Sequence, residues 1–304
     1  MLIARREFLR FGLGALAPAL PSPLRSRLIL LGTGGGASPK RLRSAPAQVI
    51  LVDDRAYLVD CGDGVARQMV LAGVPVSRLR AIFITHHHSD HNADYGNLLV
   101  LGWSAGLKPP VDAYGPPPLA RMTSLVGELN RFDIETRTAD EGLPPFAGIV
   151  KPHEISKGGL VMEDGRVKVT AALVDHPPVR PAFAYRFDTP DRSIVISGDT
   201  APSPNLIALA RGADILVHEV LYLPAIDRLV RGNPHSSRLR AHLLASHTPP
   251  AEAGRIAAAA GVKKLVLSHF VPGDDPSITD EMWLEGVRPY FKGEVVVGRD
   301  LMAL

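Results

Sequence analysis

The chain has 304 residues, 46% hydrophobic and 21% charged, proportions that suit a globular protein with a large core. Its formal net charge is +3, of which Arg5, Arg6 and Arg10 against Glu7 contribute +2, so the remainder is near neutral and carries no electrostatic footprint for nucleic acid. A single cysteine, Cys61, excludes an intrachain disulfide and leaves the compartment unmarked.

The chain opens MLIARREFLRFGLGALAPALPSP. Arg5-Arg6-Glu7-Phe8-Leu9-Arg10, followed by the apolar run 11–20, resembles a twin-arginine export signal with Arg10 in place of the usual lysine. The run is too short to span a bilayer as a mature anchor. Residues 1–25 are therefore expected to be a signal and short linker. Residues 26–304 are expected to be one domain, delivered to the periplasm with no membrane anchor after processing. The competing reading is an amphipathic N-terminal helix. Residues 27–31, RLILL, read as a strand running into Gly32-Thr33-Gly34-Gly35-Gly36. No GK[ST] follows and no helix opens there, so this is a tight connection and not a phosphate loop. Residues 48–52 and 56–60 read as a hairpin turning at Asp53-Asp54. A helix is predicted over 65–72, with Asp63 either capping it or orienting a histidine ligand. Cys61 reads as a small buried residue. Strand, helix and strand in this order place a site at the carboxyl ends of the strands.

Residues 81–91, AIFITHHHSDH, begin as a short apolar strand and end in imidazole and carboxylate. His86, His88, Asp90 and His91 are candidate ligands of the nitrogen and oxygen types that Zn²⁺ takes at about 2.0–2.2 Å. His86 and His88 can face one point, Asp90 and His91 a second. His87 reads as a bystander. A solvated polar loop is the alternative, and ligand types so closely spaced argue against it. H-x-H-x-D-H after an apolar strand resembles the metallo-β-lactamase fold superfamily. The resemblance implies an α/β fold, a four-layer αβ/βα sandwich, and further ligands downstream.

Next comes a predicted helix over 92–107 whose apolar face carries Leu98, Leu99, Leu101 and Trp103. Asp94 and Tyr95 either line the pocket or are simply solvated. Residues 111–114 read as a strand, and 130–165 as polar and loop-rich. His153 in that stretch reads as a surface or core histidine. Strands over 167–174, 193–196 and 265–268 lead into His176, Asp199 and His269, the last of these being the final sheet strand. Given the resemblance, His176 completes a first metal with His86 and His88. His269 completes a second with Asp90 and His91, and Asp199 bridges the two. The competing role for Asp199 is a cap for a helix over 202–211. Two Zn²⁺ ions so held, with Mn²⁺ or Fe²⁺ as substitutes, imply a bridging hydroxide available near neutral pH.

GTGGG, VDCGDGVARQM, IFITHHHSDH, AYRF, SGDT, ADILVHEV and SHTPPAEAGRIAAAAGVKKLVLSHF resemble the ribonuclease Z-like branch over residues 27–298. This resemblance implies that Glu219 and His247 act together on the leaving group, beside His218, and adds Asp90 to the catalytic set. That branch carries a long tRNA-gripping arm where this chain has only residues 188–192. With the neutral charge and exported start, the short hairpin argues against precursor tRNA. NADYGNLLVLGWSAGL and VDAYGPP look closer to the arylsulfatase-like group of the branch. The expectation is an exported binuclear zinc hydrolase of small esters, a sulfate or phosphate of an aryl or alkyl alcohol. The alternatives are a ribonuclease Z-like phosphodiesterase or nuclease, a lactonase or β-lactamase, and a metal-binding protein without turnover. The branch implies a homodimer, although no interface is legible.

Overall fold

Successive side chains point to opposite faces of a strand, and here both faces are apolar, so the strands must be covered on both sides. The computed structural model describes residues 26–107, 110–231 and 236–304. The expected export signal lies outside them. β1 (Ser26–Gly32) sends Leu28 and Leu30 one way, Ile29 and Leu31 the other. β2 (Ala47–Val52), β3 (Arg55–Val59) and β4 (Leu79–Phe83) repeat the split, and β5 (Val111–Gly115) and β6 (Val150–Glu154) follow. The second sheet runs through β7 (Gly159–Glu163), β8 (Lys168–Leu173), β9 (Phe183–Asp188), β10 (Ser193–Ile196), β11 (Ile215–Leu221), β12 (Lys264–Val271) and β13 (Glu294–Val297). β14 (Met302–Ala303) returns to pair with β1, giving two seven-stranded sheets among the described residues.

Leu28, Ile50, Tyr57 and Phe83 of the first sheet meet Val169, Phe183, Tyr185 and Ile194 of the second in one core. The outer face of the first sheet packs on α1 (Val65–Leu71) and, past the short α2 (Ser89–Asn92), on α3 (Tyr95–Ser104), through Met69, Leu98, Leu99 and Trp103. Next along the chain come α4 (Leu119–Leu129) and α5 (Arg131–Asp140). The outer face of the second sheet is covered by α6 (Pro204–Leu209), then, past α7 (Ile226–Val230) and α8 (Ser236–Ser246), by α9 (Pro250–Ala260) and α10 (Asp280–Val287). Helix, sheet, sheet, helix is the expected four-layer order. The parallel runs β3-β4-β5 and β10-β11-β12 bring their carboxyl ends to the site.

Several predicted elements differ. The helix over 92–107 is shorter than expected, running from Tyr95 to Ser104 while Asn92 closes the separate α2, and Leu101 is 56% exposed instead of joining the apolar face. The stretch 130–165 holds α5, β6 and β7, so it is not loop-rich. β12 is not the final sheet strand, since β13 pairs beyond it. The 188–192 hairpin, the 53–54 turn and the short strands around them stand as read. Among the described residues no helix is long and apolar enough to cross a membrane.

Candidate metal centre

His86, His88, His176 and Asp199 lie just beyond strand ends, where the chain leaves the hydrogen-bond ladder and can turn a side chain to a common point, whereas Asp90 and His91 lie on α2 and His269 lies within β12, at the irregularity in its pairing with β11. His86 and His88 follow β4, and His176 follows β8. His88 Nδ1 lies 3.1 Å from His86 Nε2 and 3.1 Å from His176 Nε2. That is close to the edge of a tetrahedron, about 3.3 Å, whose corners sit about 2.0 Å from a central ion. Asp199 joins this group, with all four ligand atoms within 4.8 Å of one another.

The second group is Asp90, His91, Asp199 and His269, again within 4.8 Å. His269 Nε2 lies 3.1 Å from Asp199 Oδ2 and 3.4 Å from Asp90 Oδ2, and His91 Nε2 lies 3.2 Å from Asp199 Oδ1. Asp199 is thus the shared residue. It does not cap α6, whose cap position is Ser203.

The chemistry of these atoms fits divalent cations. His91 Nε2, His269 Nε2 and Asp199 Oδ1 are buried yet have no hydrogen-bond partner; the His91–Asp199 pair has the distance of a hydrogen bond but not its direction. Buried polar atoms left unpaired are costly, and a cation among them satisfies all three at once. The three-nitrogen-plus-carboxylate and two-nitrogen-plus-two-carboxylate donor sets suit zinc or a similar ion.

Neighbouring groups hold the ligands in place. Asp60 Oδ2 accepts from His91 Nδ1 at 2.7 Å, and Thr85 bonds Asp60 while its Oγ1 sits 3.0 Å from His86 Nδ1. His176 Nδ1 donates to the Ser246 carbonyl at 3.0 Å. Each leaves its Nε2 free to ligate, the usual arrangement of a metal-bound imidazole. The orienting carboxylate is therefore Asp60. Asp63, assigned that role or a cap by sequence, is exposed, and no side chain caps α1. Asp60 and His269 both have left-handed backbone, φ 62° and 44°, strain that the surrounding contacts sustain. Cys61 is buried and its N–H donates to the His91 carbonyl.

The glycine loop is a tight connection at the metal face. Its Gly36 N–H donates to Asp90 Oδ2 at 2.8 Å, and a Cβ on Gly35 would lie 2.4 Å from the His269 ring. Gly35→Ala will push His269 off its position and weaken metal binding at the second group by about 10–100-fold. Titration against a competing chelator checks this, with the first group's affinity unchanged.

Electrostatics differ between the groups. Burial holds His86 well below the ordinary histidine range and His176 at about 4, so both are neutral and ready to ligate. Burial also works against a charge on His269, but Asp199 and Asp90 outweigh it and raise the ring to about 10. His91, likewise buried, is raised by Asp199, Asp60 and Asp90. A cation entering the second group therefore displaces protons.

Beside this group stand Glu219, at the bulge of β11, and His247, in the loop after α8. His247 Nδ1 is 3.2 Å from Glu219 Oε1, which also accepts the Thr200 and Thr248 N–H groups, both at 3.1 Å. Burial lowers the His247 pKa, but Glu219 more than restores it, and the net shift is upward. A His247 ring so held can present a proton from Nε2. His218 is buried, with Nδ1 2.7 Å from the Glu219 carbonyl oxygen, and does not join either ligand group. His87 bonds the Pro116 carbonyl oxygen, and His153 pairs with Asp112 and stacks on Tyr114, so neither enters the site. Tyr95 is buried against Thr123, and Asp94 accepts the Gly64 N–H.

A family profile described as the β-lactamase superfamily domain matches residues 55–270. The chain belongs to the metallo-β-lactamase superfamily. Its curated relatives include ribonuclease Z of Mycobacterium bovis (strain BCG / Pasteur 1173P2), 33% identical over 277 residues, which are 90% of this chain and 96% of that one. Ribonuclease Z of Mycobacterium sp. (strain KMS) is 35% identical over 278 residues, 90% and 93% of the two chains. Among solved structures, human tRNase Z, short form, superposes with a TM-score of 0.68 at 23% identity, covering 91% of this chain and 98% of its own. The metallo-β-lactamase fold protein YhfI of Bacillus subtilis gives 0.67 at 22%, covering 92% and 98%. These two likenesses show the superfamily fold. The superfamily chain described here is a hydrolase, and its His and Asp clusters are the superfamily's place for divalent metals.

Proposed function

We propose that this hydrolase cuts phosphodiesters, in RNA or in small nucleotides, using two zinc ions. The observation that carries the reading is the pair of ligand groups sharing Asp199 with the Glu219–His247 pair beside them. Two cations there would supply an activated water and neutralise charge on the phosphoryl oxygens. The protein's own work is done by two other parts. Asp60, Thr85 and the Ser246 carbonyl fix the ligand rings. Glu219 holds Nδ1 of His247 so that Nε2 can protonate the departing oxygen.

The curated relatives named ribonuclease Z support a diester substrate. The short hairpin at 188–192 does not separate this chain from them. A 277-residue alignment that spans 90% of 304 residues leaves no room for a long arm in the relative either. Nor does the segment 92–107 favour aryl sulfates, because its Tyr95, Leu98, Leu99 and Trp103 are core and touch no ligand group.

A panel tests the reading: bis-p-nitrophenyl phosphate, p-nitrophenyl phosphate, p-nitrophenyl sulfate, a lactone, nitrocefin and precursor tRNA, each with and without chelator. The diester or the tRNA should be cleaved at least about tenfold faster than the monoester or sulfate, and chelation should stop it. Preference for the sulfate would replace diester with sulfate chemistry. We also propose export by the twin-arginine route. Arg5→Lys with Arg6→Lys should then retain the full chain in the cytoplasm, as cell fractionation would show.

A further inference from the structure

One histidine at the centre has no part in either ligand group. His242 stands on α8, one turn before Ser246. Its ring centroid lies 5.9 Å from His88, 5.7 Å from His176 and 5.8 Å from His247, crossing each at 70–84°. His242 therefore sits over two ligands of the first group and the proton donor together. Unlike His176 and His247 it is only partly buried, so its ring reaches solvent beside the ligands.

Its tautomer follows from the partners of its other nitrogen. Nδ1 is 3.2 Å from Ser246 Oγ. The Ser246 hydroxyl already donates its one proton to the Pro177 carbonyl at 2.5 Å. The serine can then only accept, so His242 Nδ1 carries the proton and Nε2 presents a lone pair. A lone pair repels phosphoryl oxygens and attracts a donor.

We propose that His242 contacts the substrate, its Nε2 accepting a hydrogen bond from a hydroxyl beside the scissile ester, the group that ribose carries at C2′ and deoxyribose lacks. The inference rests on the phosphodiesterase reading and names its sugar preference. Presence of that hydroxyl is what distinguishes RNA from DNA at a given site.

The test compares uridylyl-(3′→5′)-uridine with its 2′-deoxy analogue, using metal-loaded full-length protein. A neutral hydrogen bond predicts about a 3–10-fold preference in kcat/KM for the ribose substrate. His242→Leu should remove the preference while keeping the wild-type metal content. His242→Gln, whose amide oxygen can replace Nε2 as acceptor, should restore part of it. Calorimetry with uridine 3′-monophosphate and its 2′-deoxy form should show the same pattern in affinity, without turnover. An unchanged preference in His242→Leu, or loss of a metal from that variant, overturns the role. If the wild type cleaves neither dinucleotide, the phosphodiesterase reading falls, and the monophosphate affinities alone decide whether His242 reads the hydroxyl.

Discussion

Asp199→Ala will leave the purified protein with at most one bound ion per chain and no measurable turnover. Among the described residues no other stands in both ligand groups, with His86, His88 and His176 on one side and Asp90, His91 and His269 on the other. Its two oxygens reach both groups: Oδ1 lies 3.2 Å from His91 and Oδ2 3.1 Å from His269, both of the second group, while Oδ2 also lies 3.9 Å from His86 of the first. Removing it takes one ligand from each set. It also strips the negative charge that helps to raise His91 and His269. A buried charge left without its partner costs about 3–5 kcal/mol, so the alanine variant needs a fold check by circular dichroism. Asp199→Asn is the milder companion. It keeps one oxygen and should retain the first ion better than the second. Elemental analysis after exhaustive dialysis reads both. Two tightly held ions in Asp199→Ala, with turnover within about tenfold of wild type, would show that the two groups are not one centre.

How far the sequence exposed this centre depends on what kind of signal each residue carries. His86, His88, Asp90 and His91 are legible because they are packed into one short loop, where coincidence is a poor explanation. His176, Asp199 and His269 are legible only through the resemblance, because nothing local distinguishes a ligand at a strand end from an ordinary polar residue there. Asp60 and Asp63 show the limit well. Both flank the same Cys-Gly, and helix-cap logic favours Asp63, but the left-handed turn at Asp60 folds that carboxylate back beneath His91. Tertiary contact decided the matter, and local pattern had no access to it. The stretch 130–165 hides its elements for a related reason. α5 has no buried residue, so it lacks the apolar stripe by which a surface helix is normally recognised. His242 carries no signal at all: the rings beside it, His88, His176 and His247, come from the loops after β4, β8 and α8, and only the fold assembles them.

His247→Ala will slow turnover by about 10²–10⁴-fold and leave both ions in place. The two halves of that expectation have separate grounds. His247 is in neither metal group that contains Asp199; it clusters with Glu219 and His269, and the partner its Nδ1 meets is Glu219. Truncating it therefore removes a proton donor without removing a ligand. Glu219 keeps two backbone donors, Thr200 and Thr248, so its position survives the change. The size of the loss should depend on the leaving group. A nitrophenolate departs without help, and its diester should lose the least. A sugar or alkyl alkoxide is far more basic, needs a proton as the bond breaks, and should lose the most. Rates of the variant across a series of diesters, plotted against leaving-group pKa, should fall much more steeply than those of the wild type. Metal content measured on the same samples separates this from damage to the centre. A uniform loss across the series would mean that His247 positions the substrate and does not protonate it, and near-normal rates throughout would remove it from the reaction.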